Sequence, residues 1–302
     1  MTCVGYGKII LLGEHAVVYG YPALAAALDR GVIIAPVATP AGGPLRLELR
    51  AWGVAITADD DHPVARSLAA IADALGAGRP PLSLIGDAQI PPAAGLGSSA
   101  AIAVAIARAL LAYRQPEGPV DPAVLGHAAG ASEVLVHGRP SGVDVALAIA
   151  GGVGVFRRAS GLLPLAGVPA QRVLVGPSGA PRSTAAMIDR VAAATGGRPD
   201  DPRLRELGAL TDAATAALVG GDGPALGAAM NRAHALLAEL GVSTPQLDAL
   251  CQAARTSGAS GAKLTGAGGG GAVIAVAPRE REAAVLAAWR QAGVDGFVAT
   301  VR

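Results

Sequence analysis

Apolar positions recur along the chain with two spacings, and the switches between them predict the elements. Residues 7–12, GKIILL, read as a strand that ends in a polar GEH turn. Residues 22–28 predict a short helix, with Pro22 in its first turn. Residues 31–38 and 45–57 are strand-like, and Leu45, Leu47 and Leu49 alternate with charged neighbours. A helix is expected over 62–75 and a strand over 81–90. The loop 93–97 leads into a helix over 98–113, and a second helix over 121–137 stops at Gly138 and Pro140. Strands over 151–157 and 172–176 flank the loop that marks the expected domain boundary. Helices follow near 183–194, 202–219, 223–239 and 245–256. The end reads as a strand, the run GAGGGGAV, another strand, a helix over 279–292 and a last strand. Helices and strands do not alternate strictly enough for a doubly wound sheet, so the class is α+β. No internal repeat is visible.

A chain of 302 residues is ample for a full core and is most simply divided into two domains. Apolar residues make up 52% but aromatics only 3%, so Ala, Val, Leu and Ile must fill that core. The formal charge is +1, with no basic block, which argues against a nucleic-acid partner. The most apolar windows, 100–113 and 142–156, are broken by Arg108 and Asp144 and are too short to span a membrane. The start, MTCVGYGKII, has no secretory pattern, and a cytoplasmic protein is expected. Cys3 and Cys251 make neither a metal spacing nor a disulfide framework.

Four stretches hold the candidate chemistry. The first is GLGSSAA, residues 95–101. It lacks the Lys-Ser of a Walker loop, and Ala100 breaks the dinucleotide spacing. Its glycines nonetheless let backbone N–H groups turn toward an anion, and Ser98 and Ser99 open a helix whose positive end favours phosphate. A core helix capped by its own serines satisfies the same residues. The second stretch is GKIILLGEHAVVYG, where Lys8 is either a solvated strand end or a functional cation, and Glu14 and His15 either a polar turn or contacts to a ligand. The third is EVLVHGRPSGVDVALAIAGG, where Asp144 lies in an apolar segment and needs a partner such as Lys8, unless it opens an exposed helix. Glu133, on the preceding helix, would ordinarily face solvent. The fourth is KLTGAGGGGAV, residues 263–273, whose consecutive glycines suit a backbone packed closely on another loop or a ligand.

In this order and spacing the stretches resemble the GHMP small-molecule kinases, named for galacto-, homoserine, mevalonate and phosphomevalonate kinases. Within that family GEHAVVYG, HGRPSGVD and PRSTAAM are most similar to mevalonate kinases. The resemblance implies a two-domain GHMP kinase fold. Its N-terminal domain, residues 1–160, would be like domain 2 of ribosomal protein S5, and its C-terminal domain, residues 161–302, ferredoxin-like, with the active site in the cleft between. It implies ATP-dependent phosphorylation of mevalonate at its 5-hydroxyl, with Mg²⁺.

Carried over by motif, Asp144 and Lys8 are the catalytic pair. Lys8, Ala94, Gly95, Leu96, Gly97, Ser98 and Ser99 wrap the triphosphate, and Ser99 with Glu133 holds the metal. Gly266, Gly268 and Gly269 belong to the third-motif loop. Glu14, His15, Ser183 and Thr184 face the substrate, and Arg182 is either a clamp for its carboxylate or a surface arginine opening a helix. The family admits a homodimer.

The chain departs from the family pattern at Tyr6, Ala88, Ala93 and Val145, none of which removes a charged group. Other readings are a phosphomevalonate or sugar kinase, a related decarboxylase, an inactive small-molecule binder and a purely structural domain. A phosphorylated acceptor calls for extra basic residues, and near the motifs only Arg139 and Arg182 are seen. An inactive member would be expected to have lost one of Lys8, Ser99, Glu133 and Asp144.

Overall fold

The computed structural model describes residues 2–116, 118, 120–138, 141–180 and 183–301. Arg139 and Arg182 therefore lie outside the described residues. The chain forms two compact units that do not follow a single cut in sequence. The first comprises Met1–Lys8, Arg30–Pro92 and Gly97–Gly151, and the second Ile9–Asp29, Ala93–Leu96 and Gly152–Arg302.

In chain order the first elements are β1 (Cys3–Leu12), β2 (Ala23–Ala38), β3 (Arg46–Leu49), β4 (Val54–Thr57), α1 (Pro63–Ala74) and β5 (Leu82–Ala88). Then come α2 (Ser98–Arg114), α3 (Pro122–His137), α4 (Val143–Ala150), β6 (Val153–Arg157), β7 (Gly161–Pro164) and β8 (Gln171–Pro177). The remainder is α5 (Thr184–Thr195), α6 (Pro202–Val219), α7 (Gly223–Glu239), α8 (Pro245–Thr256), β9 (Gly261–Thr265), β10 (Ala272–Val276), α9 (Arg279–Gln291) and β11 (Phe297–Val301). The expected α+β class is what forms.

In the first unit, β2 pairs antiparallel with β5 over Val32–Ala38, β5 runs parallel to β3, and β3 pairs antiparallel with β4. The helices α1 to α4 pack on one another. Helix α2 is buried on nearly every side up to Leu110, which is why its apolar residues show no clean stripe. Gly5 of β1 fixes how near α2 comes, because a Cβ there would sit 1.9 Å from the Ala101 carbonyl oxygen. Arg108 of α2 then ties two elements together, donating to the Val4 carbonyl and, at 2.7 Å, to the Ile149 carbonyl of α4.

In the second unit, β8 to β11 form an antiparallel sheet in the order β11-β8-β10-β9. Counting from β8, that is the 4-1-3-2 order of a ferredoxin-like sheet. Helices α7 and α8 pack on β9. Gly227 of α7 and Gly261 of β9 touch so closely that a Cβ on Gly261 would lie 2.4 Å from the Gly227 Cα. The largest side chain in the core, Trp289, donates its Nε1–H to the Leu250 carbonyl at 2.9 Å. Among the described residues no helix is long and apolar enough to cross a membrane.

The structure corrects one expectation. Residues 22–28 are not a helix: Ala23–Ala26 pair with β6, and the strand runs on to Ala38. Alanine and leucine favour helices, but a fully buried apolar run is equally at home in a central strand, and tertiary pairing decides. Residues 143–150 form helix α4, so of the two alternatives for Asp144 the helix start holds, and Asp144 is paired as well. The short strand β7 was not expected.

Candidate active site

Lys8 closes the portion of β1 that belongs to the first unit, and the close approach at Gly5 lays that strand along the start of α2. The Lys8 stem crosses Gly97: a Cβ on Gly97 would meet the Lys8 Cγ at 2.7 Å. Gly97 has φ +71°, a left-handed conformation that glycine takes freely. The serines do not cap this helix. Its N-cap is Gly97, with no side-chain hydrogen bond, whereas His62, Asp121, Ser183, Asp201, Asp222 and Thr244 cap their helices. The first-turn N–H groups of α2 thus have no side-chain acceptor, which is the state an anion site requires.

The Lys8 Nζ lies 3.1 Å from Asp144 Oδ1. Asp144 sits in the first turn of α4, where the helix end favours a carboxylate. Its side chain keeps 28% of its exposure, so it is paired yet reachable from solvent. Glu133 is not on a solvated face; it is buried at 2% exposure. Burial pushes its carboxyl above the ordinary range, Asp144 adds to that rise, and the Ser99 hydroxyl, His137 and Lys8 oppose it. Glu133 and His137 are one turn apart on α3, with Oε2 and Nε2 separated by 3.8 Å, and His137 Nε2 is 3.2 Å from Ser99 Oγ. The structure therefore gathers Lys8, Ser99, Glu133 and Asp144, and adds His137, which sequence reasoning did not single out. Its signal was the i,i+4 spacing from Glu133.

This donor set fits a hard divalent cation better than a transition-metal cage. Among the described residues Glu133 Oε1 is buried without a hydrogen-bond partner, which an oxygen-seeking cation would satisfy. Among the described residues no group of three His, Cys, Asp or Glu side chains is placed to hold an ion, so phosphate oxygens would have to complete the shell.

The remaining site residues lie in the second unit. Ala94 and Leu96 are buried, Gly95 is half-buried, and Ala93 holds φ +57° without being glycine. Ala93 is one of the departures from the family pattern, and it stands where glycine would be free of strain. In the third-motif loop, Gly268 presses on Val242, where a Cβ would lie 2.1 Å from the carbonyl oxygen, and Gly269 presses on Met187 of α5, at 2.7 Å from its Sδ. Gly266 is also left-handed, with φ +78°. The close packing expected of the glycine run is thus packing on neighbouring loop and helix. Ser183 caps α5 by accepting from Ala186 N–H at 3.3 Å, and Thr184, exposed, is its first residue.

Glu14 and His15 are both buried. Glu14 pairs with Lys263, which sequence reasoning quoted only as the start of the fourth stretch. A lysine inside an apolar strand was the available signal. Burial pushes the Glu14 carboxyl up and the Lys263 ammonium down, and each partner's charge opposes the other's shift. His15 Nε2 lies 2.8 Å from the Ala267 carbonyl.

A family model described as GHMP kinases N terminal domain matches residues 62–152, and one described as GHMP kinases C terminal matches residues 214–295. The mevalonate kinase of Thermococcus sibiricus is 35% identical, over 95% of this chain and 91% of its own. The chain belongs to the GHMP kinase family. A second relative of this GHMP kinase, the mevalonate kinase of Aeropyrum pernix, is 35% identical over 89% of the chain and 86% of its own. Among solved structures, L. major mevalonate kinase in complex with R-mevalonate superposes with a TM-score of 0.87 at 27% identity, covering 100% of this chain and 96% of that one. Methanococcus jannaschii mevalonate kinase gives 0.85 at 25% identity, with coverage of 100% and 98%. The two-domain GHMP kinase fold follows.

Proposed function

We propose that this GHMP kinase transfers the γ-phosphoryl group of ATP to the 5-hydroxyl of (R)-mevalonate, releasing 5-phosphomevalonate and ADP in isoprenoid biosynthesis. The observation that carries the reaction is the Lys8–Asp144 pair at 3.1 Å, beside the uncapped start of α2. The 35% identity to curated mevalonate kinases over most of the chain supports the acceptor.

Asp144 orients the hydroxyl and accepts its proton as the bond from that oxygen to the γ-phosphorus forms. The bond from phosphorus to the bridging oxygen breaks, and its electron pair leaves with ADP. Lys8 offsets the negative charge spread over the transferring group. Backbone N–H groups of the 94–99 loop would cradle the phosphates, and Ser99 with Glu133 would hold Mg²⁺. When bound, that ion neutralises phosphate charge. On the substrate side, His15, Ser183 and Thr184 offer hydrogen bonds. Under this reading the enzyme works in the cytoplasm, and a homodimer is its proposed assembly, which light scattering tests.

The deciding experiment follows ADP release with ATP and Mg²⁺ against mevalonate, 5-phosphomevalonate, 5-diphosphomevalonate, galactose and homoserine. Turnover on mevalonate alone is expected. Turnover on another acceptor instead, or none while ATP still binds, overturns the reading.

A further inference from the structure

The second unit ties the turn that follows β1 to the strand that precedes the glycine loop. Ile10 N–H donates to Thr265 Oγ1 at 3.0 Å, and that hydroxyl donates back to the Ile10 carbonyl at 2.9 Å. Lys263 Nζ donates to Glu14 Oε1 and, at 2.6 Å, to the Leu264 carbonyl. His15 Nε2 meets the Ala267 carbonyl at 2.8 Å. The turn held in this way is strained. His15 has φ +62° and ψ −46°, close to the rare γ-turn whose i+2 bond is seen here as Ala16 N–H donating to the Glu14 carbonyl at 2.6 Å. So sparsely populated a conformation costs a non-glycine residue ~1–3 kcal/mol and persists only where surrounding contacts enforce it.

The Lys263–Glu14 pair is an expensive way to enforce it if stability were the only gain. The two side chains retain 0% and 1% of their exposure, and Glu14 Oε2 has no hydrogen-bond partner among the described residues. Replacing a buried ion pair of this kind by apolar groups of like volume is often neutral or stabilising, so its net contribution to stability is small. What an apolar pair lacks is direction. A charge-assisted hydrogen bond fixes where the Glu14 carboxylate lies, and with it the backbone of the next residue.

We propose that Lys263 is a positioning residue for the acceptor substrate: through Glu14 it holds the strained turn centred on His15 and so aims the His15 imidazole at mevalonate. This rests on the reading of His15 as a substrate contact given above. Lys263 acts at one remove, and neither it nor Glu14 needs to touch the substrate. The proposal accounts for a lysine with no exposure three residues before Gly266, the first glycine of the loop.

Lys263→Met alone leaves a buried, unpaired carboxylate and risks unfolding the chain, so the test uses the charge-neutral pair Glu14→Gln/Lys263→Met. Folding is checked by circular dichroism, and KM for mevalonate and for ATP is measured in this variant, in His15→Ala and in all three changes together. The neutral pair is expected to raise KM for mevalonate about tenfold, the loss of one charge-assisted hydrogen bond, with KM for ATP within about twofold. Added to His15→Ala, it is expected to raise KM for mevalonate no further, since the two act through one contact. An unchanged KM for mevalonate, an equal rise for both substrates, or full additivity with His15→Ala overturns the proposal. Wild-type enzyme run alongside separates the two levels: no turnover of mevalonate there overturns the proposed function, and this inference with it.

Discussion

Lys8 with Asp144 in the first unit and Lys263 with Glu14 in the second use the same two functional groups in opposite surroundings. The first pair is lopsided: its lysine is buried while its aspartate keeps 28% of its exposure. The second is closed on both sides, at 0% and 1%. An ammonium beside a reachable carboxylate can meet a hydroxyl and a phosphate. The same ammonium sealed against a carboxylate can only hold backbone in place. Under the proposed mechanism, burial of the carboxylate, more than residue type, separates the reacting lysine–carboxylate pair from the positioning one.

The sharpest way to break that contrast is to neutralise each pair. Asp144→Asn is expected to lower kcat by about 10²–10⁴ while KM for ATP stays near its original value, the range for loss of a positioned proton acceptor. Wild-type turnover in this variant would remove Asp144 from the chemistry. Lys263→Met is expected to lower the unfolding free energy by about 3–5 kcal/mol in denaturant titrations, because it strands a buried carboxylate. Lys8→Met should cost only about 1 kcal/mol, since Asp144 can still reach water. Equal losses in the two would erase the distinction.

A third measurement extends the contrast to pH. In the second unit, His234 is held neutral: burial pushes it down to about 4, Lys263 and Arg255 push the same way, and Asp248 opposes them. Leu264 N–H donates to its Nδ1 at 3.3 Å, so Nε2 carries the proton toward Asp248 Oδ1 at 3.1 Å. Its folded-state value lies below the usual 6.5, so the unfolded chain binds the proton more readily. The associated stability is whole above about pH 6.5 and is lost as pH falls toward about 4, roughly 2 kcal/mol of it by pH 5. Denaturation midpoints at pH 7 and pH 5 test this, and a His234→Gln variant should lose correspondingly less.

The smallest expected effect is at Ala93, ahead of the open cluster. An exposed Ala→Gly exchange ordinarily costs ~0.4–1 kcal/mol through the unfolded chain. Here relief of the φ +57° backbone offsets that cost, and Ala93→Gly should be neutral within about 0.5 kcal/mol in the same titrations.

The helices were legible wherever a cap or a breaker framed a periodic run. Asp201 and Pro202, Asp222 and Pro224, and Thr244 and Pro245 open α6, α7 and α8. Residues 23–28 were not legible, because burial on both sides removes the periodicity that separates strand from helix. The sequence likewise suggested that Ser98 and Ser99 would cap α2, and only the backbone shows that Gly97 takes that place. Lys8 could be matched to Asp144 because an aspartate in an apolar stretch demands a partner. Lys263 was not legible because a lone lysine in a short apolar strand carries no local sign of its partner, which lies 249 residues away.

The division of the chain into units has a consequence for cutting it. The units change over between Lys8 and Ile9 inside β1, and again between Asp29 and Arg30 inside β2. A strand cannot be parted at mid-length without breaking its ladder. No single peptide bond therefore separates two autonomous pieces, and a fragment ending at residue 160 carries Ile9–Asp29 without most of the chain that unit is made from. Neither unit is a continuous stretch of chain, even though residues 62–152 and 214–295 match separate family models.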